Sequence, residues 1–173
     1  MSGPNHTRRT AISLAIERRL RREAGYRYIL MGLIAASVLA LDQLTKVIVR
    51  ATIPVGDTID VLPGIRLVDT VNTGIAFGLF PGRQALVSVV TLVAIGAIAV
   101  LLVGFAGRHA LVPIGGGLLL GGSVGNLIDR VFRDGVTDFI AIGPWPPFNV
   151  ADIGVTAGAI LLVTALVLSG GDG

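Results

Sequence analysis

Four stretches of this chain carry no charge, and three of them are long enough by themselves to cross a bilayer. They cover residues 28–41, 84–107, 110–128 and 153–171, each bounded by charged or titratable side chains. The first is followed by Asp42, Lys46 and Arg50; read as a helix from Tyr28 to about Val49 it has 22 residues, enough to cross the hydrocarbon core. Composition agrees. Hydrophobic residues make up 53%, charged residues 14%, and mean hydropathy is +0.81, whereas a soluble domain carries roughly 25% charge. The expected fold is an all-α polytopic membrane protein, with four transmembrane helices and a small extracytoplasmic β-platform. The third span has Pro113 near its start and many glycines, which favour close helix contact.

The net charge of +3 divides unevenly. Arg8, Arg9, Arg18, Arg19, Arg21, Arg22 and Arg27, less Glu17 and Glu23, give +5 over residues 1–27 and leave −2 for the rest. A basic arm directly before an apolar helix reads as a cytoplasmic anchor drawn to anionic lipid, rather than as a nucleic-acid arm. The first apolar stretch has no good cleavage site and holds polar groups in its second half, so it reads as an uncleaved anchor. The positive-inside rule then puts both termini in the cytoplasm, with Arg108 in the inside turn between the second and third spans. The expected organisation is a basic arm 1–27, a membrane domain 28–169 and a cytoplasmic tail 170–173. The membrane domain includes an extracytoplasmic platform 50–83 and a loop 129–148.

The outside segments differ in character. Residues 51–80 hold β-prone pieces such as Ile65–Val68 and Thr70-Val71, broken by Pro54, Gly56, Pro63, Gly64 and Gly74, which suits a small strand platform. Ile142–Phe148 is rich in proline and aromatic side chains; Trp145 and Phe148 are expected among lipid headgroups. The segment 131–147 is expected to be a loop moving over the platform.

Chemistry is narrowed by absences. There is no cysteine, and His6 and His109 are the only histidines, so thiolate catalysis and most metal sites are excluded. No metal and no cofactor are expected. Carboxylates near a bilayer are costly and mark function. Asp42 lies about 21 Å along the first helix; Asp129 closes the third span and Asp152 opens the fourth. The topology sets all three at similar depth on the outer side. Asn126 is three residues before Asp129, on one helical face. Asn149, three before Asp152, suits a helix cap. Two carboxylates brought together share a proton, so one can activate water while the other donates to a carbonyl oxygen. The expected pair is Asp129 with Asp152, with Asn126 and Asn149 orienting them.

Blander readings stand beside this one. Asp129 with Arg130 or Arg133 can form an interfacial ion network, and Asp152 can be a plain helix-start charge. Asp42 and Lys46, four apart, can simply pair across one turn. Asp138, in Val136-Thr-Asp-Phe139, reads as a loop carboxylate that packs or hydrogen-bonds below the site. Two other functions compete: a small transporter, and a metal-assisted lipid-phosphate hydrolase using Asp129, Asp138 and Asp152. A transporter needs polar groups along a path, and the inner halves of the second, third and fourth spans have no titratable group.

Five blocks occur in order: Asp42-Gln-Leu-Thr-Lys46, Asn72-Thr-Gly-Ile-Ala-Phe-Gly78, Gly121-Gly-Ser-Val-Gly-Asn-Leu-Ile-Asp-Arg130, Val136-Thr-Asp-Phe-Ile140 and Phe148-Asn-Val-Ala-Asp152. In these the sequence resembles the lipoprotein signal peptidases, the signal peptidase II family, from about Tyr28 to Leu168. The resemblance implies an intramembrane aspartic protease that cuts prolipoproteins just before a diacylglyceryl-modified cysteine. It implies catalysis by Asp129 and Asp152, supported by Asn126, Arg130, Asn149, Ala151, Asn72, Asp42, Lys46 and Asp138. Expected partners are lipid-modified prolipoproteins and membrane lipids, with no nucleic acid. A monomer is expected, because one site fits within one four-helix chain.

Overall fold

The computed structural model describes residues 4–74, 84–105 and 109–170. Helix α1 (Pro4–Thr52) is followed by strands β1 (Thr58–Leu62) and β2 (Ile65–Asn72), then α2 (Gln84–Phe105) and α3 (Leu111–Arg133). Strand β3 (Val136–Ile142) and helix α4 (Val150–Gly170) complete the order. Among the described residues three helical segments are long and apolar enough to cross a membrane: Arg21–Thr52, Leu111–Arg133 and Val150–Gly170. The expected second span coincides with α2, in which the apolar stretch Ala85–Val100 is shorter than those three. The inside turn with Arg108, residues 75–83 of the outside segment and the end of the tail lie outside the described residues.

Helix α1 passes through the expected boundary at Arg27 without a break. At 49 residues it is about 74 Å long, more than twice the hydrocarbon thickness, so its basic N-terminal part projects past any span it makes. No proline or glycine pair interrupts the sequence between Arg8 and Thr52 to stop it.

The bundle is inverted relative to a soluble protein. Leu33, Leu44 and Val47 of α1, Val90 and Val93 of α2, and Ile160, Val163 and Leu166 of α4 are exposed on its outside. Asp42, Lys46, Asp129 and Asn149 are fully buried inside. Helix α3 is the central element, packing on α1, α2 and α4. Its glycines allow this. A Cβ on Gly121 would run into the Ala35 carbonyl of α1, and one on Gly122 into the Ala151 carbonyl of α4. The backbones therefore touch directly. Gly122→Leu is expected to push α4 away and cost about 1–3 kcal/mol of stability, read as a lowered thermal unfolding midpoint in detergent.

The strand platform draws on both outside segments, which sequence reading had separated. The sheet is antiparallel, in the order β1-β2-β3. Strand β2 pairs with β3 from Ile65↔Ile142 to Asn72↔Val136, with an irregularity between Leu67 and Thr70 that brings Thr70 opposite Asp138. The segment expected as a moving loop over 131–147 is thus largely ordered: α3 continues to Arg133, and β3 is buried along most of its length. The β-branched and aromatic residues of Val-Thr-Asp-Phe-Ile-Ala-Ile suit a strand. Asp134 makes the turn from α3 to β3 in the left-handed region, at φ 57°. Val49 of α1 and Ile53 just after it pack with Phe139 under the sheet, fastening the platform to the bundle.

Candidate active site

The polar centre starts on α1. Asp42 and Lys46, one turn apart, pair at 2.8 Å, and Asp42 Oδ1 accepts the backbone N–H of Ala151 at 2.9 Å. That N–H is one of the donors a helix start leaves unpaired, so α1 caps α4. Gly125 makes the approach possible, because a Cβ there would stand 2.6 Å from Asp42 Oδ2. The Gln43 amide donates both to Asp42 Oδ2 and to the Gly125 carbonyl. Lys46 Nζ also reaches Asp129 Oδ2 at 3.2 Å and donates to Asn126 Oδ1 at 3.0 Å. A fully buried ammonium thus has two carboxylates and an amide oxygen around it, the pairing that a buried charge requires.

Asp129 is held within this ion cluster. Its Oδ2 also accepts the Thr137 N–H at 3.1 Å, and Arg50 and Arg133 stand 3.9 Å from its Oδ1. The interfacial network considered for Asp129 is therefore present, although its central cation is Lys46 and Arg130 is not part of it.

Asp152 faces elsewhere. Asn149 caps α4: its Oδ1 accepts the Asp152 N–H at 2.9 Å, and Asp152 Oδ2 accepts the Asn149 N–H at 3.2 Å. This reciprocal cap fixes the carboxylate in the first turn. Asn126 Nδ2 donates to Asp152 Oδ1 at 2.8 Å. The Asn149 side-chain amide donates to Asp138 Oδ1 at 2.7 Å and also to Asn126 Oδ1 and the Thr137 carbonyl. Asn72 Nδ2 donates to Asp138 Oδ2 at 3.0 Å. One residue, Asn149, therefore bonds to both Asp138 and Asp152.

A cavity of about 590 Å³ opens on these two carboxylates. Asn72, Asn126, Arg130, Asp138 and Asp152 are in its polar lining, with Thr91 of α2 on the opposite wall. Asp129 does not line it. The expected meeting of Asp129 with Asp152 is thus replaced by a meeting of Asp138 with Asp152. The physical reason is Lys46, which engages Asp129 from below, while β3 carries Asp138 up to the cavity. Burial pushes the Asp138 carboxyl up to about 6, and the neighbouring Asp152 charge adds to this. The Asn72 and Asn149 amides and the Lys46 charge pull the other way.

Arg130 lines the cavity, with long contacts to the Asn126 and Gly74 carbonyls at 3.5 and 3.4 Å and a buried Nε that has no hydrogen-bond partner among the described residues. A second groove of about 390 Å³ shares Trp145, Phe148, Asp152 and Thr156 with the cavity. Beyond them it is lined by Ile153, Ala157 and Ile160 of α4.

Sequence reasoning missed Thr137, Arg50 and Gln43. Arg50 carried a signal, since Asp42, Lys46 and Arg50 recur at four-residue spacing on one helical face. Thr137 carried none, because its role comes from contacts with α1, α3 and α4.

The signal peptidase (SPase) II family model matches residues 34–168. The chain belongs to the signal peptidase II family. It is similar to a lipoprotein signal peptidase of Geobacillus thermodenitrificans, 39% identical over 143 residues that cover 80% of this chain and 89% of that one. A lipoprotein signal peptidase of Rhodococcus jostii is 42% identical over 152 residues, covering 82% of this chain and 74% of that one. Among solved structures, a bacterial membrane enzyme determined by the in meso method superposes with a TM-score of 0.71 at 33% identity. That match covers 80% of this chain and 87% of the enzyme. The family is one of membrane peptidases, in keeping with the apolar helices described above.

Proposed function

We propose that this chain is an aspartic endopeptidase that removes the signal peptide from prolipoproteins, cutting just before a diacylglyceryl-modified cysteine. The observation that carries the mechanism is the Asn149 bridge, which bonds Asp138 and Asp152 at the floor of one cavity. Family membership supports the substrate class. Four spans are proposed, with α2 as the second, both termini cytoplasmic and the site near the extracytoplasmic face. A monomer suffices, because the cluster is assembled from one chain.

Asp138, the carboxyl raised by burial, holds the shared proton and donates it to the scissile carbonyl oxygen. Asp152 takes a proton from water as the water oxygen attacks the carbonyl carbon directly, with no covalent intermediate; as the C–N bond breaks, Asp152 passes that proton to the leaving nitrogen and Asp138 takes its own back from a hydroxyl of the gem-diol. The protons then belong to the pair rather than to either residue. Asn126 and Asn149 hold the pair in register, and Arg130 offers its unpartnered Nε to a substrate backbone carbonyl. Asp42, Lys46 and Asp129 support the site from beneath, and Ala151 ties it to α1 through its N–H. The signal-peptide segment lies in the cavity between α2 and α4, and the apolar groove beside Asp152 receives an acyl chain of the modified cysteine.

The test is cleavage of a synthetic prolipoprotein peptide by purified protein, with and without the diacylglyceryl group and with EDTA. Cleavage only of the lipidated peptide, unchanged by EDTA, is the expected result. Loss on chelation would favour the metal-assisted hydrolase. A pH profile adds a second check. Below about 6 the Asp138 carboxyl keeps its proton and can act as the acid; above it the proton is lost. Turnover is therefore expected to fall as pH rises past about 6, and a profile that climbs through that range would reverse the assigned roles.

A further inference from the structure

We infer that Arg50 is a positioning residue for the reaction: by gripping Thr137 it fixes strand β3 where that strand presents Asp138. This rests on the proposed pairing of Asp138 with Asp152. Thr137 immediately precedes Asp138 and is held at each of its polar atoms. Its N–H donates to Asp129 Oδ2, its carbonyl accepts from Asn149 Nδ2, and its hydroxyl Oγ1 accepts from Arg50 Nη1 at 2.8 Å. The first two anchors come from α3 and from the cap of α4. The third comes from the last turn of α1, so three elements converge on one backbone unit.

The rest of the α1–β3 contact is apolar. Val49 and Ile53 pack on Phe139, and apolar contact is non-directional, so it permits a strand to slide. The Arg50 bond is charge-assisted and directional, and it sets where along α1 the strand stops. Stability alone does not account for Arg50. Among the described residues its Nη2 is buried without a hydrogen-bond partner, as are Asp129 Oδ1, 3.9 Å from its Nη1, and Asp69 Oδ1 on β2. Unpartnered buried groups cost free energy. The return is geometric: α1 fixes the strand that carries Asp138 in the same cluster that pairs Lys46 with Asp129.

The test uses full-length protein in detergent, the lipidated peptide substrate and the variants Arg50→Met, Thr137→Val, their double and Thr137→Ser. Arg50→Met and Thr137→Val are each expected to lower kcat about tenfold with KM within about twofold, and the double is expected to be no worse than either single. Thr137→Ser keeps the hydroxyl and stays within about twofold of the starting enzyme. Amide hydrogen exchange over residues 136–142 is expected to quicken about tenfold in Arg50→Met, with α3 and α4 unchanged. Unchanged exchange, full kcat in folded Arg50→Met, or losses that multiply in the double variant would each overturn the inference. If the unmutated enzyme leaves the peptide uncut, the proposed activity fails, and exchange still decides whether Arg50 holds β3.

Discussion

Asp138→Asn and Asp152→Asn are each expected to lower kcat by about three orders of magnitude or more, with folding and membrane insertion intact. Asparagine keeps the shape of each side chain and one of its two acceptor oxygens, so one of the two amide donors that each carboxylate accepts from is retained. What is lost is the ability to carry a proton, and neither half of the reaction survives that. Asp129→Asn is expected to act differently. Asp129 lies outside the cavity and balances Lys46, so its neutralisation should show first as a lower unfolding temperature. Purified variants assayed on the lipidated peptide, with unfolding followed in parallel, separate the two cases. Full turnover in Asp138→Asn together with lost turnover in a well-folded Asp129→Asn would return the pair to Asp129 and Asp152.

Lys46→Met is expected to destabilise the fold by about 3–5 kcal/mol, because it strands Asp42 and Asp129 as buried carboxylates with their principal cation gone. The length of the side chain is preserved, so packing loss is small and the effect is electrostatic. Asn126 loses a donor to its Oδ1 as well, which links the damage to Asp152. Thermal unfolding in detergent measures the effect. A change under about 1 kcal/mol would mean that Arg50 and Arg133 suffice to balance the cluster. A paired Lys46→Met/Asp129→Leu variant should recover part of the loss, since one of the stranded charges is then gone.

Much of this site could be read at helical spacing. Asp42 and Lys46 at four residues, and Asn149 and Asp152 at three, predict contacts that local geometry enforces whatever the fold around them. The outer depth of Asp129 and Asp152 followed from the spans. Choosing the partner of Asp152 did not, because Asp129 and Asp138 lie nine residues apart on the same side of the membrane. The decision rests on where Lys46 reaches and on the pairing of β3 with β2, which joins Thr70 to Asp138 across 68 residues. Neither has a local signal. The β-branched and aromatic content of Val136–Ile142 was the one available hint that this segment is a strand. It was masked by the glycine and proline residues around it.

Helices α1, α3 and α4 are knotted together at the ends that meet the sheet. Asp42 holds the start of α4, Lys46 crosses to α3, and Asn126 joins Asp152. Helix α2 has no part in these ties. It packs mainly on α3, yet it contributes Thr91 to the wall facing Val155 and Thr156 of α4. Among the cavity's helical walls, α2 is therefore the one that can shift without breaking a polar tie of this cluster.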